Sequence, residues 1–250
     1  MNKIALITGA SSGIGLATAK ALAENNIDLI LCGRNESKLQ DLQQELAKKV
    51  KTIILCFDVR EHQQVALAID SLPQEWKNID ILVNNAGNAH GLSSIQEGDV
   101  ADWDLMIDSN VKGLLYVSKT VMPLMVERKS GHIVNISSVA GKHTYQNGAV
   151  YCASKKAVEA ISEGMRLDLT QHGIRVTNIA PGAVQTNFSL VRFKGDVKRA
   201  NKVYEGFEPI QPCDVADAIV YAVNAPKNVT IADIVLYASA QAAPTTIYRK

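Results

Sequence analysis

The chain has 250 residues, 47% hydrophobic and 20% charged, with a formal net charge of +1. That length suits one large α/β domain with a sizeable buried core, and the composition excludes a disordered, collagenous or low-complexity scaffold. The near balance of 26 Lys+Arg against 25 Asp+Glu excludes a global positive field for nucleic acid or an anionic membrane, though a local phosphate site remains allowed.

Taken in order, the first apolar run is Ile4–Thr8, and it starts too early to leave room for a signal peptide. Similar short runs recur at 28–32, 52–57, 79–83, 132–137, 175–180 and 231–237. Their near-continuous apolar character predicts strands buried on both faces, as in a parallel sheet. Helical periodicity fills the intervals at 14–24, 36–49, 63–72, 106–127, 150–171 and 214–223. This alternation predicts right-handed βαβ units and a doubly wound α/β fold with a seven-stranded parallel sheet flanked by helices. No repeat, biased tract or linker divides the chain, so one domain is expected over 1–250. Region 182–212 is the least regular. A long excursion after the sixth strand reads as a substrate lid.

Four cysteines (Cys32, Cys56, Cys152, Cys213) lie far apart with no CxxC, and no histidine pair has metal-ligand spacing. They read as buried free thiols of a reducing cytoplasm, and no metal site is expected. His62, His90, His132 and His172 read as surface or turn residues, and Met122 with Met125 as packing at helical spacing. No apolar run is long enough to span a membrane.

The first strand runs into Thr8-Gly9-Ala10-Ser11-Ser12-Gly13-Ile14-Gly15, and a helix follows. Glycines there permit a sharp turn and bring backbone amides up to a pyrophosphate at the helix N-terminus. The spacing differs from G-x-G-x-x-G, so the position between strand and helix carries the inference. After the second strand stands Arg34, where an NAD site places an acid to hold the ribose 2′-hydroxyl. A guanidinium there suits a 2′-phosphate, which favours NADP. A solvated surface charge is the alternative reading of Arg34.

Tyr151 is followed by Lys155 at the start of a predicted helix, which sets both side chains on one face. A phenol can exchange a proton with a carbonyl or alcohol oxygen, and a nearby ammonium favours its phenolate. Ser138 lies 13 positions before Tyr151 and is able to donate to the same oxygen. Asn110 is placed to hold a water between Lys155 and solvent. Each residue alone is an ordinary cap or turn residue; their order carries the signal.

These motifs resemble the short-chain dehydrogenase/reductase family, with its Rossmann-like fold, over essentially the whole chain. TGxxxGxG falls at 8–15, NNAG at Asn84-Asn85-Ala86-Gly87, the Ser and YxxxK at Ser138, Tyr151 and Lys155, and PGxxxT at Pro181, Gly182 and Thr186. The resemblance implies catalytic roles for Asn110, Ser138, Tyr151 and Lys155. It implies NADP contacts from Gly9, Ser11, Ser12, Gly13, Ile14, Gly15, Arg34, Asp58, Val59, Asn84, Ala86, Gly87, Tyr151, Lys155, Pro181, Gly182, Val184 and Thr186. In it Asp58 and Val59 lie by the adenine, Asn84 by its ribose and Thr186 by the carboxamide.

The stretch 188–196 and the tail 230–241 narrow the resemblance to NADP-dependent 3-hydroxy acid dehydrogenases, which act on serine, L-allo-threonine and related acids as homotetramers. Arg192 or Lys194 of the lid then reaches a substrate carboxylate, or is a solvated loop charge. Tyr145 and Gln146 lie with His143 where the family's pocket wall runs. The branch reads V-E-T-E-F where this chain has Val184-Gln185-Thr186-Asn187-Phe188, which predicts weaker recognition of a substrate ammonium. The function expected is interconversion of short 3-hydroxy acids, or related alcohols, with their carbonyl forms. The alternatives are a 3-oxoacyl-carrier-protein reductase, a broad carbonyl reductase, and a catalytically silent NADP-binding protein. A small hydroxy acid or carbonyl substrate, a homotetramer and a cytoplasmic setting are expected, with no nucleic-acid or membrane partner.

Overall fold

Every apolar run read from the sequence is a strand in the computed structural model, which describes residues 2–250. The strands are β1 (Ile4–Thr8), β2 (Asp28–Gly33), β3 (Thr52–Cys56), β4 (Ile79–Asn84), β5 (Gly131–Ile136), β6 (Ile174–Pro181) and β7 (Asp233–Leu236). They form one sheet in the order β3-β2-β1-β4-β5-β6-β7, every pair parallel. Strand order reverses between β1 and β4, which opens a crevice beyond their carboxyl ends. The central strands are buried along nearly their whole length, and β7 at the edge alternates exposed and half-buried residues.

Helices α1 (Gly13–Glu24), α2 (Glu36–Leu46), α3 (His62–Asp70), α4 (Val100–Ile107), α5 (Leu114–Arg128), α6 (Val139–Lys142), α7 (Ala149–Leu169), α8 (Phe188–Arg192), α9 (Val197–Lys202) and α10 (Pro212–Asn224) cover the sheet. The single helix expected over 106–127 is three pieces: α4, a π-helical turn at Asp108–Gly113, and α5. Lys129, in the left-handed region at φ 50°, stops α5. Leu22, Leu39 and Ile219 pack one face of the sheet, and Val65, Val121 and Val158 the other. Each such side chain stabilises the fold by about 1.5–3 kcal/mol. A third apolar group (Ala89, Met106, Ala140, Tyr151 and Cys152) lies at the crevice, with Trp103, Tyr145 and Phe188 against it. Among the described residues no helix is long and apolar enough to cross a membrane.

Two expectations need correction. His132 is buried inside β5, bonded to Thr177 Oγ1 at 2.8 Å, because both faces of this strand are covered by helices. Burial lowers its pKa to about 3, so the ring stays neutral. Cys32 and Cys152 are buried, but Cys56, at the end of edge strand β3, and Cys213, in the first turn of α10, are exposed.

Candidate active site

The cofactor end is built on the β1–α1 turn. Gly13 has φ 53°, and a Cβ there would press on the Thr186 methyl at 3.3 Å. A Cβ on Gly15 would overlap the Gly9 carbonyl oxygen. Ser12 precedes α1 in extended conformation and its side chain caps nothing, so no side chain occupies the first-turn amides. Those amides and the helix dipole form a ready anion site, and Ser11 and Ile14 flank it. The residues present therefore fit a dinucleotide pyrophosphate.

Thr8 ties this turn to the β4 end: its hydroxyl accepts from Asn85 N and Ala86 N, each at 3.0 Å. Asn85 donates in return to Thr8 O at 2.9 Å. Asn85 belongs to the NNAG motif, but the sequence assigned it no role of its own, since the motif does not show which of its residues braces the turn. Asn84 points away, donating to Ser118 Oγ and Asn135 Oδ1, both at 2.9 Å. The whole residue is 4% exposed, with its side-chain amide turned inward, away from the cofactor end.

At the far end, exposed Arg34 follows β2 and places Nη1 3.6 Å from Asp58 Oδ2. Ser11 Oγ lies against Gly33, beside this corner. Arg60, which the motifs did not indicate, grips the same Asp58 carboxylate. Val59 fits against Gly113 of the π-helical turn, where a Cβ would collide with it.

The catalytic end gathers β5, β6 and α7. Ser138 caps α6, accepting from Ala140 N at 3.1 Å and donating to Pro181 O at 3.3 Å. Tyr151 and Lys155 are both buried on one face of α7. Burial pushes the Tyr151 phenol well up, the Tyr145 phenol adds to this, and Ser138 and Arg192 pull it back. Burial also lowers Lys155 to about 8, although Nζ keeps a bond to Ile136 O at 2.9 Å. Gly87 lies against both Lys155 Nζ and Asn110 Oδ1. The Asn110 side chain is committed: it donates to Asn88 O and Ser154 Oγ and accepts from Asn88 N. Any relay water therefore falls to its main chain.

Region 182–212 covers the remaining side. Gly182 N donates to Leu236 O at 2.7 Å, and Val184 bridges to Ile210. Buried Gln241 accepts from Ala183 N at 2.9 Å, so the C-terminal tail holds the start of the lid. Helix α8 sets Phe188 on Tyr151, ring centroids 5.6 Å apart. Arg192 donates to Gly91 O at 3.1 Å and Tyr145 OH at 3.0 Å, and its guanidinium lies 5.6 Å from the Tyr151 ring centroid. Its Nη2 is buried without a hydrogen-bond partner among the described residues. Lys194 instead pairs with Asp102 at 3.0 Å.

A small groove beside Tyr151 is lined by Arg192, His90, Trp103, Met106 and Asn147. Gln146 is exposed and is not part of this lining. Gln185 and Asn187 are exposed too, and Gln185 is bonded to Gln211. Neither amide lines the groove beside Tyr151.

The short chain dehydrogenase profile matches residues 3–195. An NADP-dependent 3-hydroxy acid dehydrogenase of Salmonella typhi is 44% identical over 229 residues, 91% of this chain and 92% of that one. A sulfoacetaldehyde reductase of Chromohalobacter salexigens is 42% identical over 232 residues, 92% of each chain. The solved closed form of a serine dehydrogenase complexed with NADP+ has a TM-score of 0.93 at 40% identity, covering 99% of this chain and 100% of that one. The chain belongs to the short-chain dehydrogenase family.

Proposed function

We propose that this chain is an NADP-dependent oxidoreductase that interconverts short 3-hydroxy acids and their 3-oxo forms, with Arg192 holding the acid group. When bound, the cofactor supplies or accepts the hydride at the substrate carbon. In the reductive direction Tyr151 gives its phenolic proton to the substrate oxygen, and in oxidation it takes that proton back. Ser138 turns its hydroxyl from Pro181 O to the same oxygen and polarises it. Lys155, as an ammonium beside the phenol, favours the phenolate during turnover. The main chain of Asn110 leads the proton onward to solvent. Pro181 at the end of β6, with Gly182, Val184 and Thr186 of the lid, would hold the nicotinamide end of the cofactor, and Arg34 would hold its 2′-phosphate.

The observation that carries the substrate class is the unpartnered, buried Nη2 of Arg192, beside the Tyr151 ring. A buried guanidinium N–H without an acceptor is costly, and a carboxylate or sulfonate supplies one. The names of the two relatives, one a hydroxy acid dehydrogenase and the other a sulfoacetaldehyde reductase, both denote small anionic substrates. Tyr145 steers Arg192 through its hydroxyl, and exposed Gln146 has no part in this reading.

The test compares a short 3-hydroxy acid with its primary amide in wild type and Arg192→Gln. We expect kcat/KM for the acid to fall about 100-fold, the worth of a charge-assisted contact of about 3 kcal/mol, while the amide changes little. An equal fall for both, or no fall, overturns the reading.

The whole activity is proposed to reside in one domain over 1–250, with 182–212 as the lid, in a cytoplasmic homotetramer. Exposed Leu115 and Leu167 on α5 and α7 support one two-fold interface, and exposed Tyr221 and Val235 on α10 and β7 a second.

A further inference from the structure

The corner beyond β2 and β3 holds three charges where a phosphate site needs one. Asp58 is bound by Arg60 through four contacts: N to Oδ1 at 3.0 Å, Nε to both oxygens at 3.1 Å, and Nη2 to Oδ2 at 2.7 Å. Arg34 approaches the same Oδ2 only to 3.6 Å and makes no hydrogen bond with it. The Asp58 side chain is 17% exposed, and that of Arg34 69%. Burial would raise the Asp58 carboxyl, but Arg60 and then Arg34 hold it below its ordinary value.

This arrangement has a consequence for charge. A carboxylate paired with Arg34 alone would cancel it, leaving a neutral pair with no preference for a dianion. A carboxylate beside an incoming phosphate would also repel it. The trio carries one net positive charge, and because Arg60 already satisfies both Asp58 oxygens, that charge resides on the loosely held Arg34.

We propose that Arg60 is a positioning residue for cofactor choice: by engaging Asp58 it leaves Arg34 free to bind the 2′-phosphate. This rests on the reading of Arg34 given above. In the absence of Arg60, Arg34 collapses onto Asp58 and the selection for a phosphate is lost. Contacts of Asp58 with the adenine are common to both cofactors and cancel in their ratio.

The experiment measures dissociation constants of NADPH and NADH by the fluorescence of the bound nicotinamide, with 2′,5′-ADP binding measured calorimetrically alongside. Arg60→Gln is expected to reduce the NADPH-over-NADH preference about fivefold, the upper scale of one exposed ion pair. Asp58→Asn in the Arg60→Gln background should restore most of that ratio, and Arg60→Lys should retain part of it. A double variant that stays as weak as Arg60→Gln would overturn the proposal, since Arg60 would then touch the phosphate itself. Equal weakening of both cofactors by Arg60→Gln also overturns it, because a merely structural role has that result. Arg34→Ala separates the two readings. If it leaves the ratio unchanged, the assignment of Arg34 fails. If it lowers the ratio and Arg60→Gln does not, only the role of Arg60 fails.

Discussion

Lys155 is held in the folded chain at a cost. Its ordinary pKa of 10.5 falls to about 8 on burial. Below pH 8 both folded and unfolded chains carry the proton, and the folded state bears the full penalty of a buried cation. Between pH 8 and 10.5 the folded chain sheds its proton first, the unfolded chain binds more protons, and this penalty fades as pH rises. Lys155→Met should therefore melt higher than wild type at pH 7, by about 2–4 °C for each kcal/mol relieved. The gain should shrink by pH 10, while turnover is lost at both values. Thermal melts at the two pH values check this, and a variant that melts lower at pH 7 refutes it. At the same scale, Tyr151, Lys155 and Ser138 were legible as candidates because chemistry ties their types to a fixed order. It missed Arg60 because an arginine after a strand is an ordinary solvated charge until Asp58 is seen between it and Arg34. It misjudged His132 because one imidazole in an apolar run carries no mark of burial.

Among the elements, the lid was legible as irregularity and not as structure. Helices α8 and α9 have five and six residues, too short for periodicity to register. Tertiary contacts hold α8 in place: Phe188 on Tyr151 and Arg192 on Gly91, with Gly91 N donating back to Arg192 O at 2.9 Å. The root of the lid depends on Gln241, whose amide also donates to Pro244 O at 3.3 Å. Gln241→Ala removes the acceptor of the Ala183 amide, a loss of about 1–3 kcal/mol. Faster hydrogen exchange over 183–192 and a higher KM at little altered kcat are the expected results. Mass spectrometry of exchange decides the first, and unchanged exchange there would count against Gln241 as the anchor. The break between α4 and α5 was invisible for a different reason: Ile107 and Leu114 on either side of the π-helical turn that carries Asn110 keep right-handed helical backbone, and no capping residue marks the change.

For the whole molecule, a doubly wound parallel sheet of seven strands follows from buried apolar runs separated by helices and was readable in advance, whereas the order β3-β2-β1-β4-β5-β6-β7 came from the structure. Association was less readable, because exposed leucines on long helices acquire meaning only when the folded surface is known. Leu167 is 76% exposed on α7. Leu167→Glu at this site should split the proposed tetramer while leaving each chain folded, since a surface change away from the core shifts stability by under about 0.5 kcal/mol. Light scattering after gel filtration gives the mass, and an unchanged tetramer would place the interface elsewhere.

The bonds from Thr8 to Asn85 and Ala86 span 77 and 78 positions of the chain. A growing polypeptide emerging from a ribosome therefore holds the glycine turn long before it can brace it. The turn becomes rigid only once β4 has inserted beside β1, a long-range parallel pairing of the kind that folds slowly. Nucleotide can thus engage only chains that have passed this step. Its binding then favours chains in which β4 has paired with β1, drawing that folded state forward by mass action.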